Sequence, residues 1–254
     1  MPLIFYFFIF TLGLAVGSFL NCIIYRLEKN ETFLSGRSYC PYCRHILSWA
    51  DLIPLLSFLI LRGKCRYCQK PISWQYPLVE ISTALLFLLI FNFQFSIFKE
   101  FSIFQFSNLI YYFIISGFLI VIFVYDLKHY IIPDKVIYPA IVLTLILNFK
   151  FLILSAIGAA LFFLLIVLIS RGKWMGIGDI KLAFLMGLFL GFPNILVALF
   201  LAFFIGAIMG LGLIILGKKG LKSEVPFGPF LVSGTFIALF WGQRIIEWYL
   251  SLIT

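Results

Sequence analysis

The stretch Gly176-Ile177-Gly178-Asp179-Ile180-Lys181-Leu182 sets a carboxylate behind two glycines at the edge of a long apolar run. An ionisable side chain at or near hydrocarbon depth is expensive and is seldom kept for stability alone. Reading outward, an earlier apolar run closes in Val124-Tyr125-Asp126-Leu127-Lys128-His129-Tyr130-Ile131-Ile132-Pro133-Asp134 and supplies a second carboxylate, Asp126. Two carboxylates that share one proton can divide acid and base work, because one activates water while the other, protonated, polarises a carbonyl. Gly176 and Gly178 leave room for an extended peptide to approach Asp179 closely, which a side chain would block. The pattern points to peptide-bond hydrolysis inside a membrane, with Asp126 and Asp179 as the reacting pair.

The rest of the chain has the composition that such a reaction needs. Its 254 residues are 63% hydrophobic and only 11% charged, far from a soluble domain. Apolar runs at 3–25, 77–97, 108–125, 135–149, 151–170, 180–192, 194–216 and 229–252 read as eight spans of an all-α polytopic membrane protein, the fourth and sixth being short. The first run is long enough to span and lacks a basic leader and a small-residue cleavage site, so it is expected to remain as the first helix. The net charge of +9 raises nucleic acid as a partner, but the basic residues follow membrane sidedness instead. All of the nineteen Lys and Arg residues except Lys99, Lys150 and Arg244 fall in or beside the loops after spans 1, 3, 5 and 7; this set includes Lys218, Lys219 and Lys222. The positive-inside rule then puts both termini outside, and the ends of the spans that carry Asp126 and Asp179 on the cytoplasmic side. No nucleic-acid role is expected.

One segment breaks the membrane pattern. Residues 1–26 read as the first helix, 27–76 as a small cytoplasmic domain and 77–254 as the remaining membrane domain. The insertion holds Cys40-Pro41-Tyr42-Cys43 and Cys65-Arg66-Tyr67-Cys68, two Cys-x-x-Cys pairs separated by twenty-one residues. That spacing reads as a tetrahedral four-thiolate zinc site, with disulfides as the alternative that a reducing compartment disfavours. A segment of this size has too little core to fold well alone, so the metal would have a structural task. Cys22, inside the first span, reads as a packing residue.

Several residues carry a plainer reading as well. Asp179 is a candidate helix N-cap, Asp126 a candidate interfacial charge paired with Lys128 or His129, and Asp134 a candidate N-cap of the fourth span. The glycine pairs Gly13/Gly17, Gly187/Gly191 and Gly206/Gly210 predict close helix packing, and spans 5 and 7 read as scaffold. Residues 91–106 read as a short interfacial loop, and no internal repeat is evident. Two other functions remain open on the residues alone: a proton-coupled transporter using the aspartates as a relay, or a zinc-bearing scaffold without catalysis. The first predicts mid-bilayer carboxylates and repeat symmetry, and the second leaves the Gly-x-Gly-Asp motif without a purpose.

The Gly-x-Gly-Asp motif and the Asp126 segment resemble the type IV prepilin peptidase family, whose motif is similar to that of presenilin-type intramembrane proteases. The resemblance covers nearly the whole chain: Gly17-Ser18-Phe19-Leu20-Asn21, the two cysteine pairs, Ile53 to Leu59, Leu61 to Arg66, Tyr76-Pro77-Leu78-Val79-Glu80, and Pro226-Phe227-Gly228-Pro229. Gln75 stands where a basic residue is expected, and Leu52 where Asn is more usual. The resemblance implies that Asp126 and Asp179 are catalytic, with Gly176, Gly178, Pro226, Gly228 and Pro229 as supporting motif residues. It implies prepilin or pseudopilin substrates, in type IV pilus or type II secretion systems, cut after a glycine at the end of a short basic leader. It further implies N-methylation of the new N-terminus from S-adenosylmethionine, with Glu80 as a candidate contributor to that site. Its plainer role is a polar residue at a helix start.

Overall fold

The computed structural model describes residues 3–32, 36–97, 103–147, 152–216 and 225–252. Lys99, Lys150, Lys218, Lys219 and Lys222, used above to judge sidedness, lie outside them. The described residues form nine α-helices and isolated β-bridges: α1 (Leu3–Glu28), α2 (Leu56–Ile60), α3 (Gln75–Ile97), α4 (Ile103–His129), α5 (Asp134–Leu147), α6 (Ile153–Ser170), α7 (Ile177–Leu190), α8 (Asn194–Ile215) and α9 (Gly228–Ser251). Six of them, α1, α3, α4, α6, α8 and α9, are long and apolar enough to cross a bilayer, so the chain is a multi-pass membrane protein. The other two long helices, α5 and α7, have 14 residues each. Each rises about 21 Å, short of a hydrocarbon core of about 30 Å.

Boundaries differ from the apolar runs where polar groups find partners. Residues 91–106 do not form a short loop, because α3 continues to Ile97 and α4 starts at Ile103. The polar Asn92 lies within α3, and its Oδ1 accepts a hydrogen bond from Tyr6 on α1 at 2.8 Å. Asp126 does not close α4 but lies within it, about one turn before its end. Helix α7 begins at Ile177, so Asp179 is not the N-cap; it sits in the first turn behind Gly176, whose backbone is extended. Asp134 likewise falls inside the first turn of α5, and its carboxylate is held by Lys181 Nζ at 2.6 Å.

The chain divides into two compact units, Met1–Val121 and Ile122–Thr254, with the boundary inside α4. In the first unit α1 packs on α3, and the glycine spacing is the reason. A Cβ at Gly13 would stand 2.5 Å from the Ala84 Cα, and one at Gly17 2.7 Å from the Glu80 Cα, so only glycine lets these backbones meet. The insertion is built from two equivalent turns. Cys40 N–H bonds His45 O at 3.0 Å and Arg44 N–H bonds Cys40 O at 2.9 Å; Cys65 N–H bonds Lys70 O at 2.9 Å and Gln69 N–H bonds Cys65 O at 3.0 Å. Bridges Tyr39–Ile46 and Lys64–Pro71 flank them in the same way. A short repeat therefore exists, hidden because only the cysteines and one tyrosine are shared.

Arg26, at the end of α1, is buried and donates to the carbonyls of Thr32, Gly36 and Arg37 at 3.1, 2.9 and 3.4 Å, which pins the start of the insertion. Asp51 pins its middle, accepting from Ser48 N–H, Ser48 Oγ and Arg66 Nε at 3.1, 2.8 and 2.7 Å. Burial works against that carboxylate, yet Arg66 and Ser48 hold it below the usual range.

In the second unit α6 packs on α7, α7 on α5 and α9, and α8 on α9. Gly187 lets α7 lie against the backbone of Ala156, and Gly234 lets α9 meet the Ala198 carbonyl. Gly206 faces Phe230, as the spacing predicts, but a Cβ at Gly210 would meet nothing within 4 Å among the described residues, so its close-packing role is not found.

Candidate active site and cysteine cluster

Both aspartates belong to the second unit, and both are buried. Asp126 comes from α4. Its Oδ2 accepts the N–H of Gly228, the first residue of α9, at 3.0 Å. Asp179 comes from α7, and its Oδ2 accepts the N–H of Gly176 at 3.0 Å. Each bond joins a carboxylate to a backbone amide at the positive end of a helix, where negative charge is favoured. Helix α7, which carries Asp179, packs against α9, whose first residue holds Asp126. Gly178 is pressed against Ile132: an added Cβ would stand 3.1 Å from the Ile132 Cβ, which links the segment after Asp126 to the loop that presents Asp179.

Gly228 has a sharper requirement. A Cβ there would stand 2.5 Å from Asp126 Oδ2, so any side chain pushes the carboxylate off its amide. Pro229 follows in the first turn of α9, where a missing N–H costs nothing. Pro226 precedes the turn and is half-buried. Between them Phe227 sits among the rings of Phe163, Phe203 and Phe230, with centroids 6.2, 5.0 and 6.2 Å away. That cluster locks the end of α9, and hence the Gly228 amide, to α6 and α8. Sequence gives no sign of the tasks of Phe227 and Ile132, since apolar residues in an apolar chain carry no local signal.

Asp134 is held differently from the pair. Its side chain is exposed and engaged by Lys181, whose ammonium also lies 4.8 Å from the Tyr138 ring centroid. Of the expected partners of Asp126, His129 lies against the Tyr125 ring, with centroids 4.5 Å apart.

The first unit brings together Cys40, Cys43, Cys65 and Cys68, whose sulfurs all lie within 4.8 Å of one another. Cys40 Sγ and Cys68 Sγ are 3.9 Å apart, and the four are free thiols. Sulfurs on a tetrahedral ion with bonds of about 2.3 Å are about 3.8 Å apart, so this donor set fits a metal ion. Charge leads to the same conclusion. For Cys40 burial opposes ionisation, but the amides of Cys43 and Tyr42 bring the thiol down to about 7. At Cys68 an amide of Lys70 favours the thiolate, yet burial and the neighbouring sulfurs push it up to about 11. Four sulfurs this close cannot all carry negative charge unaided, and a divalent cation relieves the conflict. Cys22 is half-buried on α1.

Glu80 is buried on α3, beside Ser18, and its Oε2 accepts the N–H of Leu55 at 2.9 Å. Near it Asn21 Nδ2 donates to Tyr76 O at 3.1 Å, while Gln75 Nε2 donates to Asn21 Oδ1 at 3.2 Å. The polar motif residues of α1 and α3 thus bond one another.

Known proteins are similar to this chain along nearly its whole length. The family model for the bacterial Peptidase A24 N-terminal domain matches residues 11–93, and that for the type IV leader peptidase family matches residues 113–211. A prepilin leader peptidase/N-methyltransferase of Aeromonas hydrophila is 32% identical, covering 99% of this chain and 96% of that protein. The chain belongs to the type IV leader peptidase family. Proteins of the same description from Legionella pneumophila, 33% identical over 98% of this chain, and Bacillus subtilis, 31% identical over 96%, agree along both units. No solved structure matches the chain.

Proposed function

We propose that this protein is an intramembrane aspartyl endopeptidase that removes the short basic leader from type IV prepilins or pseudopilins after a glycine. The observation that carries this reading is that Asp126 and Asp179 are buried in one unit, each fixed through one oxygen by a backbone amide at a helix start. The other oxygen of each takes no hydrogen bond among the described residues and is available for proton exchange. One carboxylate removes a proton from water as the water oxygen bonds to the scissile carbonyl carbon. The other, protonated, gives its proton to the carbonyl oxygen. Collapse of the tetrahedral adduct breaks the C–N bond, and a proton passes from the carboxyls to the leaving amine. The sidedness of the basic loops supports a site at the cytoplasmic face of the inner membrane, where a basic leader meets an apolar helix.

Zinc is the metal we assign to Cys40, Cys43, Cys65 and Cys68. Bound there it would supply folding free energy to residues 27–76 and no chemistry to the aspartates. The relatives' description as N-methyltransferases supports methylation of the cleaved N-terminus; S-adenosylmethionine as donor and Glu80 as a contributor are part of the same proposal. Since the Glu80 carboxylate already holds Leu55, no step of methyl transfer is derived from it. The test is incubation of the purified chain with a prepilin, with and without S-adenosylmethionine, followed by mass spectrometry of the products. Cleavage after glycine is expected, with a methyl mass added only when the donor is present. An intact prepilin after incubation with folded enzyme sinks the proposal.

A further inference from the structure

The insertion carries apolar surface that peptide hydrolysis does not use. Trp49 is 80% exposed, Leu59 68%, Ile60 75% and Trp74 71%, with Leu56 also exposed. These residues adjoin one another. The 3-10 turn Trp49–Leu52 packs on α2, and Phe58 of α2 lies against Trp74 with ring centroids 5.2 Å apart. Gly63, at φ +68°, turns the chain tightly beneath Phe58, which a Cβ there would approach to 3.1 Å. A contiguous apolar patch of this kind marks an interaction surface.

Two observations identify what covers it. The first is depth. Leu55, immediately before α2, has φ 59° and ψ −49°, a conformation that is costly for a residue with a side chain. Its N–H is held by Glu80, which lies five residues along α3 from Gln75, or about 8 Å into a membrane-spanning helix. The start of α2 is therefore tied level with the first turns of α3, a helix long and apolar enough to cross the bilayer. The second observation is charge. Arg62 and Lys64 follow α2 directly and are exposed. The only acid between residues 49 and 64 is Asp51, already engaged by Arg66 and Ser48. The patch is thus apolar, tryptophan-bearing and rimmed by cations at the level where a helix enters the bilayer.

We propose that residues 49–60, with Trp74, form an interfacial anchor. It inserts between the lipid headgroups of the leaflet through which α3 enters, with Arg62 and Lys64 against the phosphates of anionic lipids. Tryptophan favours that boundary because its ring is apolar and its N–H finds water or headgroup oxygen, and a short apolar helix with flanking cations binds anionic surfaces in the same way. Glu80 acts as the tether that sets the depth of the anchor.

The experiment uses the full chain in vesicles of phosphatidylcholine with phosphatidylglycerol, containing lipids brominated on the upper acyl carbons. Subtracting the fluorescence of Trp49→Phe/Trp74→Phe from that of the unaltered chain isolates these two of the five tryptophans. The difference signal is expected to be quenched by brominated lipid and shielded from aqueous iodide. In Leu56→Gln/Leu59→Gln/Ile60→Gln lipid quenching of the difference signal should fall by at least about twofold with helix content unchanged by circular dichroism. In Arg62→Gln/Lys64→Gln it should fall only when phosphatidylglycerol is present. Iodide quenching without lipid quenching, in either lipid mixture, overturns the proposal. Lipid-insensitive tryptophans that become shielded only when a prepilin is added also overturn it, and assign the patch to a peptide partner.

Discussion

The thiol cluster and the carboxylate pair solve the same problem, bringing like-charged groups together, at opposite scales. The four cysteines are gathered by two local turns whose hydrogen bonds close within six residues, so Cys-x-x-Cys spacing almost specifies the geometry. The two aspartates stand 53 positions apart on α4 and α7, and the amide that holds Asp126 comes from α9, 102 residues on. The difference lies in what each site can survive. A site made of turns depends on its ligand for cohesion, whereas one assembled from helix ends depends on packing and on glycines that allow close approach.

The largest effect should come from the carboxylates themselves. Asp126→Asn and Asp179→Asn are each expected to lower prepilin cleavage by about 10³-fold, with the double variant little worse than either, as for groups acting as one unit. Cleavage by matched amounts of each variant in one detergent checks this, and a normal rate in Asp126→Asn breaks the comparison at its centre.

Next in size is the support for the pair. Gly228→Ala is expected to slow cleavage by about 10- to 100-fold, because the new Cβ collides with Asp126 Oδ2 and shifts the carboxylate from its amide. The thermal midpoint should move far less than the rate, and kcat should fall more than KM rises. If Gly228→Ala cleaves normally, the Gly228 amide does not position Asp126.

On the other side of the comparison, Cys40→Ser should release metal and expose residues 27–76 to protease. Cleavage is expected to drop by less than about tenfold, since neither the cysteines nor their turns lie in the unit that holds the aspartates. Metal analysis, limited proteolysis and a cleavage assay on one preparation test all three points. Absence of zinc from freshly reduced unaltered protein would remove the metal from the account.

The smallest change expected is for Asp134→Asn. Its pairing with Lys181 is exposed to solvent, and such pairs contribute little. Cleavage should change by less than about twofold; a loss comparable to that in Asp126→Asn would transfer the catalytic assignment to Asp134.

Much of this protein is legible in its sequence because the governing physics is local or one-dimensional. Long apolar runs become helices, since in lipid each backbone group must be satisfied within its own segment. Cysteines three apart become a knuckle, and Gly13 and Gly17 announce a close helix neighbour. Features that depended on neighbours were not legible in this way. Asp134 reads like a cap but is paired with Lys181, Gly210 shares the spacing of packed glycines yet a Cβ there would meet nothing within 4 Å among the described residues, and residues 91–97 continue α3, with Asn92 accepting a hydrogen bond from Tyr6.

What the sequence alone determined is the chemistry available: an all-α membrane chain, four thiols at metal-binding spacing and two carboxylates at the edges of apolar runs. What only the tertiary structure decided is which atoms meet. The Gly228 amide reaches Asp126, Phe227 anchors that amide among three aromatic rings, Ile132 fits beneath Gly178, and Glu80 captures the strained Leu55. Apart from the neighbouring Phe227–Phe230 pair, these contacts join residues from 24 to 102 positions apart, and their partners are mostly glycines and apolar side chains, whose significance lies in the space around them, a property that appears only once the helices have packed.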